Sequence, residues 1–265
     1  MLGYATKPTL YIVQELLDGG SLDKQLYVEH WRPDEQQLLK GALDVASGME
    51  YLHTHFTKAK DGRESKRSMR PVIHRDLKSP NILLDKAPPV SRASGWWEVQ
   101  FKVADFGLSR DKELISGGTH DKTGGMTGCG SVLWMAPEVL MADSYNEAVD
   151  VYSYAMCLVE LVHGTMPWQD TGVRPHEVPM KVTNDERPES QLDEATEPMK
   201  RLIRDCWHKS PKERPDFPEI VQRVQEMVHA QLDESGVASR QRGKHPSEPE
   251  PEPEPTYSTR ARGAE

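Results

Sequence analysis

The sequence is short of cysteine: three in 265 residues, Cys129, Cys157 and Cys206, far apart and without CxxC spacing. That excludes a disulfide framework and the usual zinc sites, and it fits a reducing cytoplasm. Positive charge is also scarce, with 33 Lys and Arg against 42 Asp and Glu for a formal net charge of −9. Proteins that bind nucleic acid generally present a basic face, so nucleic acid is not an expected partner. There is no run of apolar residues long enough to span a bilayer, and the opening MLGYATKPTLYIV has neither a basic n-region nor an apolar h-region. Neither a signal peptide nor a membrane span is therefore expected. No GxSxG occurs, which removes the nucleophile elbow of the hydrolases. What remains is 36% hydrophobic, enough for one or two globular domains with a sizeable core.

The chain then organises itself by pattern. LYIVQEL at 10 to 16 is rich in β-formers and ends at Asp18-Gly19-Gly20, which predicts a strand and a turn. After Asp34, a plausible N-cap, apolar Leu38, Ala42, Val45, Met49 and Leu52 recur at steps of four and three and predict a helix. Residues 97 to 103 alternate strictly between apolar and polar, and with the ILL of 82 to 84 they predict a hairpin. Later segments are helical. VDVYSYAMCLVELVHG is apolar on nearly every side and should lie in the core, with Gly164 as its stop. Helices are also expected at about 195 to 207 and 216 to 231, the second with Asp216, Pro218 and Glu219 as start signals. From about 233 the composition turns to Arg, Ser, Gly and then repeated Glu-Pro, which predicts a disordered tail to 265.

The segment that carries chemistry is VIHRDLKSPNILL, residues 72 to 84. Asp76, Lys78 and Asn81 offer an acceptor for a hydroxyl proton, a charge for a phosphate and an oxygen for Mg²⁺. A second hard oxygen ligand stands at Asp105, directly after the alternating strand.

In that order, His74-Arg75-Asp76, Asn81, Asp105-Phe106-Gly107 and Ala136-Pro137-Glu138 resemble the eukaryotic protein kinases, and the likeness covers roughly residues 2 to 232. HRDLKSPN with GSVLWMAPEVL looks most like the tyrosine-kinase-like group of Ser/Thr kinases, the Raf and mixed-lineage relatives. The resemblance implies an α+β fold, mainly the helical C-terminal lobe with a remnant of the N-terminal β lobe. It also implies ATP with Mg²⁺ as cofactors and a protein substrate bearing Ser or Thr. Asp76 and Lys78 become the catalytic pair, and Asn81 and Asp105 the metal ligands. Gln14 takes the gatekeeper position, backbone groups of Glu15 and Leu17 meet adenine, Ser21 meets the ribose and Leu83 floors the base. Glu138 and Arg214 become a structural ion pair, and Asp150 the brace of the catalytic loop. Thr119, Thr123 or Thr127 becomes a phosphorylation site pairing with Arg75.

Three departures stand out. No GxGxxG and no lysine-bearing VAIK-like strand precede the hinge, so residues 1 to 17 read as a scrap of the N-terminal lobe plus hinge and 18 to 232 as the C-terminal lobe. Insertions are expected at 56 to 71 and 86 to 98, and Cys129 falls where the family's threonine is expected. The short N-terminal side predicts an apolar surface around Leu10, Ile12 and Leu83 that self-associates or takes a covering partner. The alternative to a working enzyme is a non-catalytic scaffold of the same fold. Blander readings accompany other features: His74 as a packed core residue, Trp96-Trp97 as a core pair, and the basic run from Lys58 to Arg70 as a solvated loop.

Overall fold

Asp34 starts the long helix as its sequence predicts. Its Oδ1 accepts the Gln37 N–H at 2.9 Å while Gln37 Oε1 accepts the Asp34 N–H at 2.9 Å, a reciprocal box that satisfies two orphan donors. The structure is a computed structural model and describes residues 3–5, 11–54, 72–88, 99–105, 110–111 and 131–242. Strand β1 (Gly3–Ala5) pairs antiparallel with β2 (Tyr11–Val13). Of the described part of the expected strand, 11 to 16, residues 11 to 13 are strand.

Strand β3 (Gly20–Ser21) follows, then a single helical turn at Lys24–Val28 and helix α1 (Glu35–Thr54). The apolar stripe of α1 faces the core: Ala42, Val45, Met49 and Leu52 are buried, as is Leu39, while Leu38 is half-buried. Strands β4 (Val72–Ile73), β5 (Ile82–Leu84), β6 (Phe101–Val103) and β7 (Arg110–Asp111) complete the sheets. The expected hairpin is present as the antiparallel pair β5–β6, with β3 on the other side of β5. Of the described part of the alternating segment, 99 to 103, residues 101 to 103 are strand, and buried Val99 keeps the period. Gly19 is required here because a Cβ would meet the Lys86 carbonyl oxygen at 2.5 Å.

The second half is helical. Short α2 (Pro137–Leu140) precedes α3 (Ala148–His163), buried continuously from Ala148 to Leu161. Tyr154 hands its hydroxyl proton to the Ala42 carbonyl at 2.9 Å and so ties α3 to α1. Helix α3 stops at Gly164, whose φ of 75° suits glycine. Helices α4 (Val178–Thr183) and α5 (Glu197–Cys206) follow, then α6 (Phe217–Arg242) with Asp216 capping the Glu219 N–H at 3.0 Å.

Two compact units divide the chain, Met1–His229 and Ala230–Glu265. In the second, α6 runs on to Arg242, past the expected boundary at 232, because Asp-Glu-Ser-Gly-Val-Ala-Ser-Arg-Gln-Arg holds no proline and a single glycine, and an established helix propagates cheaply. The Glu-Pro repeat, Trp96, Trp97, the Lys58 to Arg70 run and most of both expected insertions lie outside the described residues. No helix among the described residues is long and apolar enough to cross a membrane.

Candidate functional site

Asp150, at the start of α3, shapes the loop that follows β4. Its Oδ2 accepts the His74 N–H and its Oδ1 the Arg75 N–H, each at 2.8 Å, and His53 Nε2 lies 2.9 Å from Oδ2. Those bonds hold Arg75 at φ 72°, a left-handed conformation that costs a non-glycine residue about 1–3 kcal/mol. His74 is fully buried. Its Nε2 lies 3.0 Å from the Ala104 carbonyl and its Nδ1 accepts the Asp76 N–H at 3.3 Å, so the ring carries its proton on Nε2 and braces two strands of the site. The packed-core reading of His74 holds.

Above this brace the three polar side chains converge. Lys78 Nζ donates to Asp76 Oδ2 at 2.7 Å and to Ser131 Oγ at 2.9 Å. Asn81 Nδ2 donates to the Asp76 carbonyl at 2.7 Å and to Asp76 Oδ2 at 3.1 Å. With its nitrogen committed in this way, the Asn81 amide has its oxygen left for a hard cation. Asp105 is exposed at φ 63° and follows Ala104, whose N–H bonds the Asn81 carbonyl at 2.8 Å. Phe106 and Gly107 lie outside the described residues. On the 3₁₀ turn Ser131–Trp134, two residues after the position where the threonine was expected, the Ser131 hydroxyl meets Lys78. Cys129 itself is outside the described residues, as are Thr119, Thr123 and Thr127.

The sheet supplies a second surface. Register pairs Ser21 with Leu83 and Leu83 with Lys102, which puts the three on one face. Lys102, not singled out in the sequence, reaches both carboxylate oxygens of Glu15 at 2.8 and 2.9 Å. The Leu17 carbonyl accepts the Gly20 N–H at 3.2 Å. Neither the Glu15 carbonyl nor the Leu17 N–H has a hydrogen-bond partner among the described residues, and backbone groups of these two residues are the ones expected to meet adenine. Gln14 is exposed beside them. Leu83 is half-buried rather than open, whereas Val13 and Leu16 are exposed.

Glu138 and Arg214 form the expected pair in bidentate geometry, at 2.7 and 2.9 Å and out of solvent. Beneath the catalytic loop lies a cluster that the sequence reading passed over. Glu160 of α3 is fully buried and accepts from Ser79 Oγ, from the Tyr27 hydroxyl and from Trp134 Nε1, the last at 2.7 Å. Burial pushes its carboxyl up to about 8 against an opposing pull from those donors. Tyr27 is pushed well above its ordinary range, first by burial and then by the Glu160 charge. The signal available was a lone acid inside the apolar run YAMCLVELV, residues 154 to 162.

A family model described as protein tyrosine and serine/threonine kinase matches residues 1–224. The chain is 36% identical over 227 residues to a probable serine/threonine-protein kinase of Dictyostelium discoideum, covering 82% of this chain and 14% of that protein. It is 37% identical over 242 residues to the Dictyostelium dual specificity protein kinase splA, covering 86% and 8%. It is 33% identical over 233 residues to human mitogen-activated protein kinase kinase kinase 11, covering 85% and 23%. The chain therefore spans less than a quarter of each of these relatives.

Proposed function

This chain belongs to the family of protein tyrosine and serine/threonine kinases, and on that premise we propose that it binds ATP with Mg²⁺ and transfers the γ-phosphoryl group to Ser or Thr hydroxyls of a protein substrate. The observation that carries the reading is Lys78 bonded at once to Asp76 and Ser131, with Asn81 fastened to the same aspartate. Asp76 receives the hydroxyl proton as the substrate oxygen bonds to the γ-phosphorus and the bond to the β–γ bridging oxygen breaks, releasing ADP. Lys78 counters charge on the moving phosphoryl group. Asn81 and Asp105 supply hard oxygens for Mg²⁺, which neutralises phosphate charge when bound. Such an ion would take its further ligands from nucleotide phosphates and water, as Mg²⁺ usually does. The Glu15 carbonyl and Leu17 N–H take adenine, Ser21 the ribose, and Leu83 the underside of the base. In this reading residues 1 to 17 are N-lobe remnant and hinge, 18 to 232 the C-terminal lobe, and the setting is cytoplasmic.

A second reading rests on a specific feature. The 265 residues contain no glycine-rich loop and no strand lysine ahead of the hinge, so by themselves they supply half of the usual phosphate cradle, and a binding module of the same fold is the alternative. One experiment separates the two. Labelled ATP with Mg²⁺ is incubated with a generic Ser/Thr substrate and either the chain or its Asp76→Asn variant, while nucleotide binding is followed by melting temperature. Asp76-dependent transfer supports the enzyme. Equal traces from both proteins, with Mg²⁺-dependent ATP binding retained, identify the binding module.

A further inference from the structure

Two segments meet at the Lys78–Ser131 bond: the catalytic loop Lys78–Asn81 and the segment running from Ser131 through Trp134 to Pro137. We propose that Glu160 is a positioning residue that holds these two segments in register from below, so that a docked hydroxyl sits at the correct distance from Asp76. The inference rests on the kinase reading for its functional consequence and on the geometry alone for the register itself.

The hydrogen bonds are distributed as such a role requires. Oε1 takes the hydroxyls of Ser79, next to Lys78, and of Tyr27, from the turn that follows β3. Oε2 takes the indole N–H of Trp134, on the same 3₁₀ turn as Ser131, at 2.7 Å. One carboxylate thus joins the catalytic loop, the docking segment and the turn below the ribose position. Ser153, two helical turns earlier on α3, donates to the Trp134 carbonyl at 2.8 Å, so the indole is held at both its backbone and its ring. Lys78–Ser131 closes the contact from above and Ser79–Glu160–Trp134 closes it from below.

A residue present only to fill space would be apolar. Burying an acid is costly, and apolar replacements of buried polar groups are often neutral or stabilising, so retention of one here points to register rather than stability. Glutamine provides the conservative variant. Its amide oxygen accepts the Trp134 N–H, which cannot turn into an acceptor, and its NH₂ donates to the Tyr27 and Ser79 hydroxyl oxygens, which can. Methionine keeps the volume and abolishes all three bonds.

The test is hydrogen exchange on the full chain and its Glu160→Gln and Glu160→Met variants, read by segment, together with phosphate transfer at varied substrate. Glu160→Met is expected to speed exchange at residues 79 to 82 and 131 to 135 by more than about tenfold while residues 151 to 158 and 202 to 206 keep wild-type protection. Glu160→Gln is expected to restore both segments, and transfer should drop in kcat for Glu160→Met with KM for ATP unchanged. Wild-type exchange in both segments of Glu160→Met, or a uniform rise across the molecule, overturns the proposal. Transfer by wild type no better than Asp76→Asn overturns the kinase reading instead, and the exchange pattern then decides the register by itself.

Discussion

At the scale of single residues, Arg214 is the most heavily bonded side chain of the helical region. It donates to both oxygens of Glu138 and to the Ala148, His208 and Lys209 carbonyls. Arg214→Ala is expected to lower unfolding stability by about 3–5 kcal/mol, since the Glu138 carboxylate is left buried and uncompensated. Urea denaturation reads this directly, and Arg214→Lys should recover little because an ammonium cannot reproduce the planar fork. Glu160 sets a different expectation, in pH. Its folded pKa of about 8 stands above the ordinary 4.5, so the folded state holds the proton more tightly. The titratable groups facing it are Tyr27 and Asp23 from the segment after β3 and Cys157 on α3 itself. Its contribution to stability is complete below about 4.5 and is lost as pH rises through about 8. The melting temperature of wild type should therefore fall over that window, and Glu160→Gln should flatten the fall. An unchanged slope in the variant would assign the effect elsewhere.

At the scale of elements, starts and stops were legible and lengths were not. Asp34, Asp216 and Gly164 stand where caps were expected, because capping depends on a side chain and a few backbone groups close in sequence. Asp34→Ala should cost about 1 kcal/mol, measured by chemical denaturation. At Gly164 a Cβ would strain φ 75°, so Gly164→Ala should cost about 1–2 kcal/mol by chemical denaturation, while the Arg32 guanidinium that a Cβ would approach is the mobile end of a long side chain. Strand lengths escaped the sequence because β2 and β6 end where their pairing partners end. The Glu15–Lys102 pair was invisible for the same reason, as its two members are 87 positions apart.

At the scale of the whole molecule, the expected behaviour is slow chemistry from a correctly shaped floor. Phosphoryl transfer depends on positioning and charge, and each missing preorganised charged contact costs about 10²- to 10³-fold in rate. With neither the glycine-rich loop nor the phosphate-clamping lysine in the 265 residues, turnover should stay far below that of a two-lobed kinase even though Asp76 dependence persists. Turnover at the usual about 1–100 s⁻¹ would refute this. Exposed Val13 and Leu16 also predict self-association, read by sedimentation against a Leu16→Lys variant.

The sequence by itself determined the fold class, the caps, the apolar stripe of α1 and the burial of α3, and it singled out Asp76, Lys78, Asn81, Asp105, Glu138 and Arg214 as candidates, because periodicity and short motifs are local properties. Only the tertiary structure decided that Ser131 meets Lys78, that Lys102 reaches Glu15, and that Glu160 joins Tyr27, Ser79 and Trp134. Those partners are separated by tens of positions and meet only once the three-stranded sheet has paired and α3 is buried in the core.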